Sequence, residues 1–498
     1  MTLAVNGTAR GRGGLRKPSV VVIGAGMSGV AMGVKLKEAG IDDFVILEKG
    51  QSIGGTWREN TYPGLTCDVP SHWYQYTFAK NPEWSHLFPT QPEIERYLDE
   101  TADRFGVTPR IRFGEAVTGA VFADGRWEVT TAKGVYSADF LVSASGVLHH
   151  PKIAPIPGLD SFGGALFHSA QWDHSVPLEG KRVGVVGTGS TGVQIVSALS
   201  KRNVDVTLFQ RTAQWVAPLP NPPTGPALRW ALRTFPVLNE VFYRAIRVGF
   251  GGLFQATLHP EGLRYKLVDA FCKLHLRTVR DKALRAKLTP PDKPMCKRTI
   301  VHPTFYQAVQ RPNVHVVTDS IDRIVEGGIL TKDGQLHELD VIVMATGFDF
   351  HAFVRPAEIV GEGGQSLDEA WADTGPRAYR TVAVPGFPNF FFIMGPHSPV
   401  GNFSLVGIAE AQANYIMRWI DRWRTGQFDS AQPRKDVTEA YNAEIKEAVK
   451  GTIWVSGCNS WYLGKDGVPE LWPWSPWAHE RMLAKLAEDE FVLTKAAP

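Results

Sequence analysis

Cysteine is scarce in this chain. Cys67, Cys272, Cys296 and Cys458 stand far apart in 498 residues, with no CxxC pair and no metal-ligand spacing. That pattern argues against a disulfide framework and a metal site, and it fits a reducing cytoplasm. Excess charge is also missing: a formal net charge of +3 implies no polyanionic partner, so nucleic acid is not indicated. No apolar run approaches the ~20 residues needed to cross a bilayer, so no integral membrane segment is expected. The first 17 residues are basic and Gly-rich and lack the apolar segment of a secretory signal; they read as a flexible arm.

What is present is ordinary in bulk and specific in detail. Hydrophobic residues make up 44% and charged residues 21%, as in globular proteins, and the length suggests roughly three packed units. The stretch SVVVIGAGMSGVAMGVKLKEAGIDDFVILEKG holds an apolar strand over Val20 to Ile23, the loop GAGMSG (24–29), a helix closed by Gly40 and a second strand ending at Glu48. In such a βαβ unit Gly24 makes the tight turn, Gly26 lets the backbone approach a pyrophosphate, and Gly29 permits close helix-to-strand packing. The helix start, with Ser28 in its first turn, offers partial positive charge to phosphates. Glu48, 24 residues after Gly24, suits the ribose hydroxyls of an adenosine.

The arrangement repeats in KRVGVVGTGSTGVQIVSALSKRNVDVTLFQRT, with Gly187, Thr188, Gly189, Ser190, Thr191 and Gly192 as the loop and Gln194 on the helix. The same 24-residue count lands on Arg211, followed by Thr212. A guanidinium in place of a carboxylate matches a 2′-phosphate, so the first site is assigned to FAD and the second to NADPH. The expected fold class is α/β, with two Rossmann-like dinucleotide-binding domains and a helical insertion. Two further apolar segments end in small residues, LVSASG (141–146) and VIVMATGFD (341–349). They suggest that the NADPH unit is inserted into the FAD unit, the chain leaving near 150 and returning near 341. The expected division is therefore an arm over 1–17, an FAD domain over 18–149 and 341–498, and an NADPH domain over 150–221 and 291–340. Residues 222–290 have apolar positions at helical spacing with Arg and Lys between them. A basic amphipathic stretch of this kind is compatible with membrane contact, and whether it makes one is left open; the commoner arrangement, and the one expected, is a helical insertion packed on the domain with a solvated basic face.

The string FGGALFHSAQWD (162–173) lies between the two units. Phe162, Gly164, His168, Trp172 and Asp173 match the pattern FxGxxxHxxxW(P/D) of type I Baeyer-Villiger monooxygenases. A second pattern of that family, (A/G)GxWxxxx(F/Y)P(G/M)xxxD, is matched from Gly54 through Trp57, Tyr62, Pro63 and Gly64 to Asp68. The segments FQRT (209–212), CKR (296–298), ATGF (345–348) and GCNSWY (457–462) extend the likeness, and the chain resembles this family over nearly its whole length.

The resemblance implies a flavoprotein in which NADPH reduces FAD, dioxygen gives a C4a-peroxyflavin, and a Criegee-type adduct with a ketone rearranges to an ester or lactone, with sulfoxidation as a side activity. It implies Arg298 as the catalytic cation, positioned by Asp68. Thr56, Trp57, Asp68, Tyr74 and Val117 would lie at the flavin, and Lys297 would join Arg211 and Thr212 at the NADP phosphate. The fingerprint residues 162–173 would act as a hinge coupling the cofactors rather than touch the ketone. Phe403, Ser404 and Leu405 are candidates for the substrate pocket, while the tryptophans of 454–477 either line that pocket or pin an irregular tail. The implied partners are a ketone and dioxygen, with a monomer or homodimer equally compatible. Departures from the family pattern, SASG at 143–146 and Arg58-Glu59 after the motif tryptophan, leave the substrate open. A flavin monooxygenase specialised for nitrogen or sulfur is the alternative. A disulfide reductase would need a cysteine pair beside the flavin, and a nonenzymatic NADPH sensor would have no use for Asp68 and Arg298.

Overall fold

A computed structural model describes residues 15–495 apart from residue 402. Two five-stranded parallel sheets organise it. The first runs Phe390–Phe392, Phe140–Ser143, Val20–Ile23, Phe44–Glu48, Ile111–Phe113. The second runs Val314–Val317, Asp205–Phe209, Arg182–Val186, Val341–Met344, Ala165–His168. Strands such as VVVI and FVILE are apolar throughout because a parallel sheet is covered by helices on both faces. Val20, Val22, Ile46 and Leu141 are buried in the first core, and Val183, Val206, Leu208 and Val343 in the second. The helices Met27–Glu38 and Ser190–Leu199 follow the two central strands, as the glycine spacing predicts.

Four expectations are corrected. Val341–Met344 pairs with Arg182–Val186 and Ala165–His168, so it belongs to the second sheet and the chain returns to the first unit only after Met344. An apolar strand ending in small residues has the same composition in either sheet, and pairing alone decides which one it joins. Second, Arg16, expected in the arm, is docked: its guanidinium lies 3.8 Å over the Trp423 ring and donates to the Trp423 carbonyl. The remainder of the arm, up to residue 14, lies outside the described residues.

Third, Cys296 and Cys458 form a disulfide across 162 residues of sequence, leaving Cys67 and Cys272 as buried thiols. Spacing rules detect local frameworks and are blind to a pairing made by tertiary contact. Fourth, the insertion is helical over Pro226–Thr234, Pro236–Phe254, Leu263–Leu276 and Lys282–Lys287, yet its outer surface is not simply basic. Val237 is 77% and Leu263 73% exposed. Helical periodicity is satisfied twice over on these helices, once inward and once outward. No helix of the described residues is long and apolar enough to cross a membrane.

Candidate active site

Both glycine loops open into one cavity of about 1390 Å³, larger than the roughly 300–1,000 Å³ of a site for one small ligand. Its walls come from both sheets, from the segment 54–69, from Lys297 and Arg298, and from Asn459 to Trp461. The loops are built alike. Gly24 (φ +100°) and Gly187 (φ +117°) sit in conformations that suit glycine. A Cβ on them would come within 2.8 Å of the Ala144 carbonyl oxygen and 2.4 Å of the Ala345 carbonyl oxygen, respectively. Gly29 and Gly192 allow each helix to touch its loop: a Cβ there would lie 1.9 Å and 2.1 Å from the carbonyl oxygens of Gly24 and Gly187. Neither helix has a side-chain cap or an acidic residue in its first turn, so free backbone N–H groups face the cavity and suit phosphate oxygens.

The surroundings of the two loops differ. Glu48 is buried, and its carboxylate accepts from the backbone N–H groups of Ala25 (2.8 Å) and Gly50 (2.7 Å) and from Arg58 Nη1 (3.0 Å). Arg58 therefore steadies the candidate ribose carboxylate. Arg211 is exposed at the cavity rim and makes no ion pair among the described residues. Thr188 donates to the carbonyl of Thr212 at 2.7 Å, closing the loop against the strand that ends at Phe209.

The segment from Gly54 to Asp68 straps the two units together. Trp57 Nε1 donates to the Tyr74 hydroxyl at 3.0 Å, and Thr56 Oγ1 to the Leu148 carbonyl at 3.3 Å. Further along, the Tyr62 hydroxyl donates to Gln194 Oε1 (3.0 Å), and Gln194 Nε2 donates to the Thr66 carbonyl (2.9 Å). Burial pushes the Tyr62 phenol up to about 12, so it stays a donor. The strap ends at Asp68, which takes a fork from Arg298: Nη2 to Oδ1 at 2.5 Å and Nε to Oδ2 at 3.2 Å. The Asp68 charge raises the Arg298 pKa still further, and among the described residues Nη1 donates to the Val400 carbonyl alone, at 3.3 Å.

Of the sequence-predicted cofactor residues, Gly24, Gly26, Ser28, Glu48, Thr56, Trp57, Asp68, Tyr74, Val117, Gly187 through Thr191, Gln194, Arg211, Thr212 and Lys297 all line the cavity. Gly29 does not; it is the packing glycine. Lys297 is already paired with Asp292 at 2.6 Å. Leu405 is in the wall, but Phe403 and Ser404 are not. Phe403 stacks edge-on against Trp73 (5.2 Å), and Ser404 Oγ donates to the Trp73 carbonyl (3.0 Å). Their place in a loop near the cavity could not reveal that they face the core.

The fingerprint string lies behind the wall. Ala165–His168 is the edge strand of the second sheet. A Cβ on Gly164 would meet the Asp340 carbonyl oxygen at 2.3 Å and the Phe162 ring at 2.8 Å. Trp172 packs on Phe167 (5.2 Å), and Asp173 accepts from the backbone and hydroxyl of Ser175. His168 is buried, accepts from the Ala170 N–H at 3.1 Å, and faces the Phe348 ring at 5.8 Å. Phe348 lines the cavity, so His168 is one residue removed from it.

One group escaped sequence reasoning, and another is reached in part, since Trp461 is among the tryptophans offered for the pocket or the tail. His149 and His150 line the cavity with ring centroids 4.0 Å apart, and burial depresses the His149 pKa to about 4. The signal was the HH that follows SASGVL. Asn459, Ser460 and Trp461 also enter the wall, with Trp461 against Phe350 at 4.7 Å. The GCNSWY motif marked them without saying where they go.

Comparison with known proteins gives this geometry a family. Residues 21–224 match the family model described as pyridine nucleotide-disulphide oxidoreductase, although neither Cys296 nor Cys458 lines the cavity. An uncharacterized monooxygenase of Mycobacterium tuberculosis is 54% identical over 483 residues, 97% of each chain. A Baeyer-Villiger monooxygenase of Streptomyces coelicolor is 38% identical over 487 residues, covering 96% of this chain and 93% of the relative. The chain belongs to the Baeyer-Villiger monooxygenase family. Among solved structures, that of OTEMO in complex with FAD and NADP superposes with a TM-score of 0.86 at 29% identity, covering 96% of this chain and all of the other.

Proposed function

We propose that the protein uses NADPH and dioxygen to convert ketones into esters or lactones, with sulfoxidation of thioethers as a side activity. The observation that carries this reading is the Arg298–Asp68 fork in the wall of a cavity into which both glycine loops open. FAD fits the first loop, whose uncapped helix and buried Glu48 suit pyrophosphate and ribose. NADPH fits the second, where Arg211 carries the charge for the 2′-phosphate; Lys297, already partnered by Asp292, joins it by exchanging partners. Held by these residues, NADPH would supply a hydride and FAD the means of activating dioxygen.

The protein's own part is positioning and electrostatics. Arg298 is cationic at any working pH, and Asp68 holds it in one orientation, so it needs no reorganisation as negative charge builds on the ketone oxygen. Nη1, whose one bond among the described residues is the long one to Val400, is the donor most readily exchanged for that oxygen. The strap from Gly54 to Asp68 joins the helix of the second unit to the arginine, so closure of one unit on the other and placement of Arg298 are mechanically linked. The edge strand 165–168, through His168 and Phe348, provides a second contact between the units and acts in that coupling rather than in proton transfer. Burial lowers the His168 pKa, which suits a neutral packing group.

The test is product analysis by mass spectrometry with purified protein, NADPH, ¹⁸O₂ and a panel of cyclic, linear and aryl ketones. Labelled ester or lactone is expected. Labelled sulfoxide from a thioether with no ester from any ketone would replace this reading with a sulfur-specialised oxygenase. The Arg298→Ala variant is expected to bind flavin and accept hydride while ester formation drops by about 100- to 1,000-fold.

A further inference from the structure

The helical insertion carries a surface that the oxygenation chemistry does not use. In Pro236–Phe254 the inward face is Asn239, Tyr243, Phe250 and Gly251, and a second apolar stripe, Val237, Val241 and Val248, points to solvent. Leu263–Leu276 repeats this: Tyr265, Cys272 and Leu276 are buried, while Leu263, Leu267 and Leu274 are 61–73% exposed. Ahead of them Trp230 and Phe235, both exposed, pack edge-on at 5.8 Å. Of the 19 exposed large hydrophobics among the described residues, 11 fall within 222–290, so this is one concentrated apolar surface and not scattered exposure.

Charge concentrates in the same place. Residues 222–290 hold 12 Lys and Arg against four Asp and Glu, a formal +8, whereas the whole chain is +3; the remainder is therefore net acidic. The acidic residues are largely engaged: Glu240 pairs with Lys80 and Arg244, Asp269 with Lys273, and Asp281 caps the next helix. Lys266, Arg277, Arg280 and Lys282 are exposed and have no ion-pair partner among the described residues. A second copy of this chain would bring one +8 surface against another, which Coulomb repulsion disfavours. Outward leucines and valines flanked by unpaired cations match instead an interfacial helix on an anionic bilayer, with apolar side chains in the acyl boundary and cations at the headgroups.

We propose that residues 226–282 form a docking surface for anionic lipid membranes, holding the protein on the bilayer without spanning it.

The test is co-sedimentation of the full-length, flavin-loaded protein with vesicles of equal parts phosphatidylglycerol and phosphatidylcholine, or of phosphatidylcholine alone. The expected result is roughly tenfold or greater partitioning onto the anionic vesicles, falling as ionic strength rises. The variant Val237→Ser/Val241→Ser/Leu263→Ser/Leu267→Ser is expected to lose about tenfold in partitioning with flavin content and melting temperature retained. Lys266→Glu/Arg277→Glu, which leaves the apolar stripes intact, is expected to remove the preference for the anionic vesicles. Absence of binding, or equal binding to both vesicle types, would overturn the proposal. So would a dimer in light scattering that the serine variant dissolves, because the face would then be a contact between copies.

Discussion

The two glycine loops share a backbone plan and differ in what surrounds them. In both, a positive-φ glycine passes a neighbouring carbonyl and a third glycine lets the helix touch the loop. Around the first, Gly55 approaches Gly26, where a Cβ would lie 3.6 Å from the Gly55 Cα, Gly54 donates to the Ala25 carbonyl, and Glu48 is buried in a network of two backbone N–H groups and Arg58. Around the second, a Cβ on Gly189 would meet nothing within 4 Å, and Arg211 stands exposed, with no ion pair among the described residues. The first loop is enclosed and the second open, a contrast that supports the proposed placing of a resident flavin at the first and an exchanging nicotinamide at the second.

The largest test of that contrast is a pair of alanines. Gly29→Ala drives a Cβ into the Gly24 carbonyl, and separating helix from strand there is expected to cost about 3 kcal/mol and leave the protein without flavin, read by absorbance and melting temperature. Gly189→Ala has open space and is expected to fold with full flavin content, losing only affinity for NADPH. A stable, yellow Gly29→Ala protein would break the comparison.

Acid should strain the first unit more. Burial depresses the pKa values of His72, His149 and His397 to about 4 and of His479 to about 3, all in the first unit; in the second it depresses that of His302 to about 4 and lowers those of His168 and His337 less. The unfolded chain binds protons at the most depressed of these groups from about pH 6.5 downward while the folded chain does not until near pH 4. Their stabilisation is therefore complete above pH 6.5 and is lost as pH falls through that window, by up to about 1.4 kcal/mol per pH unit for each histidine. Flavin fluorescence in an acid titration is expected to report release before NADPH binding is lost.

A smaller effect, confined to the second loop, is expected of Arg211→Ala: a rise in KM for NADPH of about 10- to 100-fold, with NADH kinetics and melting temperature unchanged. Equal losses for both nucleotides would mean that Arg211 does not meet the 2′-phosphate. Smallest is His168→Ala, expected to slow flavin reduction or uncouple NADPH consumption from ester formation by a few-fold with flavin still bound. Unchanged stopped-flow rates would return His168 to packing alone.

Much of this was legible in sequence because its causes are local. A glycine needed for a turn or a close approach leaves its mark within six residues, and a strand followed by a helix carries its period with it. The strap motif and the CKR segment named Asp68 and Arg298 without geometry. What remained hidden depended on partners far away in the chain. Val341–Met344 looks the same in either sheet until it pairs; Phe403 and Ser404 could face core or cavity; Cys296 meets Cys458 only once the C-terminal segment folds over the insertion. The outward stripes of 236–276 were hidden for a related reason: periodicity shows that a face is apolar, not whether anything covers it.

By itself the sequence determined the two dinucleotide folds, the opposite charges at Glu48 and Arg211, and the family, since each follows from contacts between near neighbours or from a motif of fixed spacing. Only the tertiary structure decided that both loops open into one cavity, that Arg298 is locked by Asp68 through a strap reaching the second helix, and that the insertion leaves apolar surface bare. Those depend on which distant surfaces come together and which find no partner, and burial is a property of the whole packed chain.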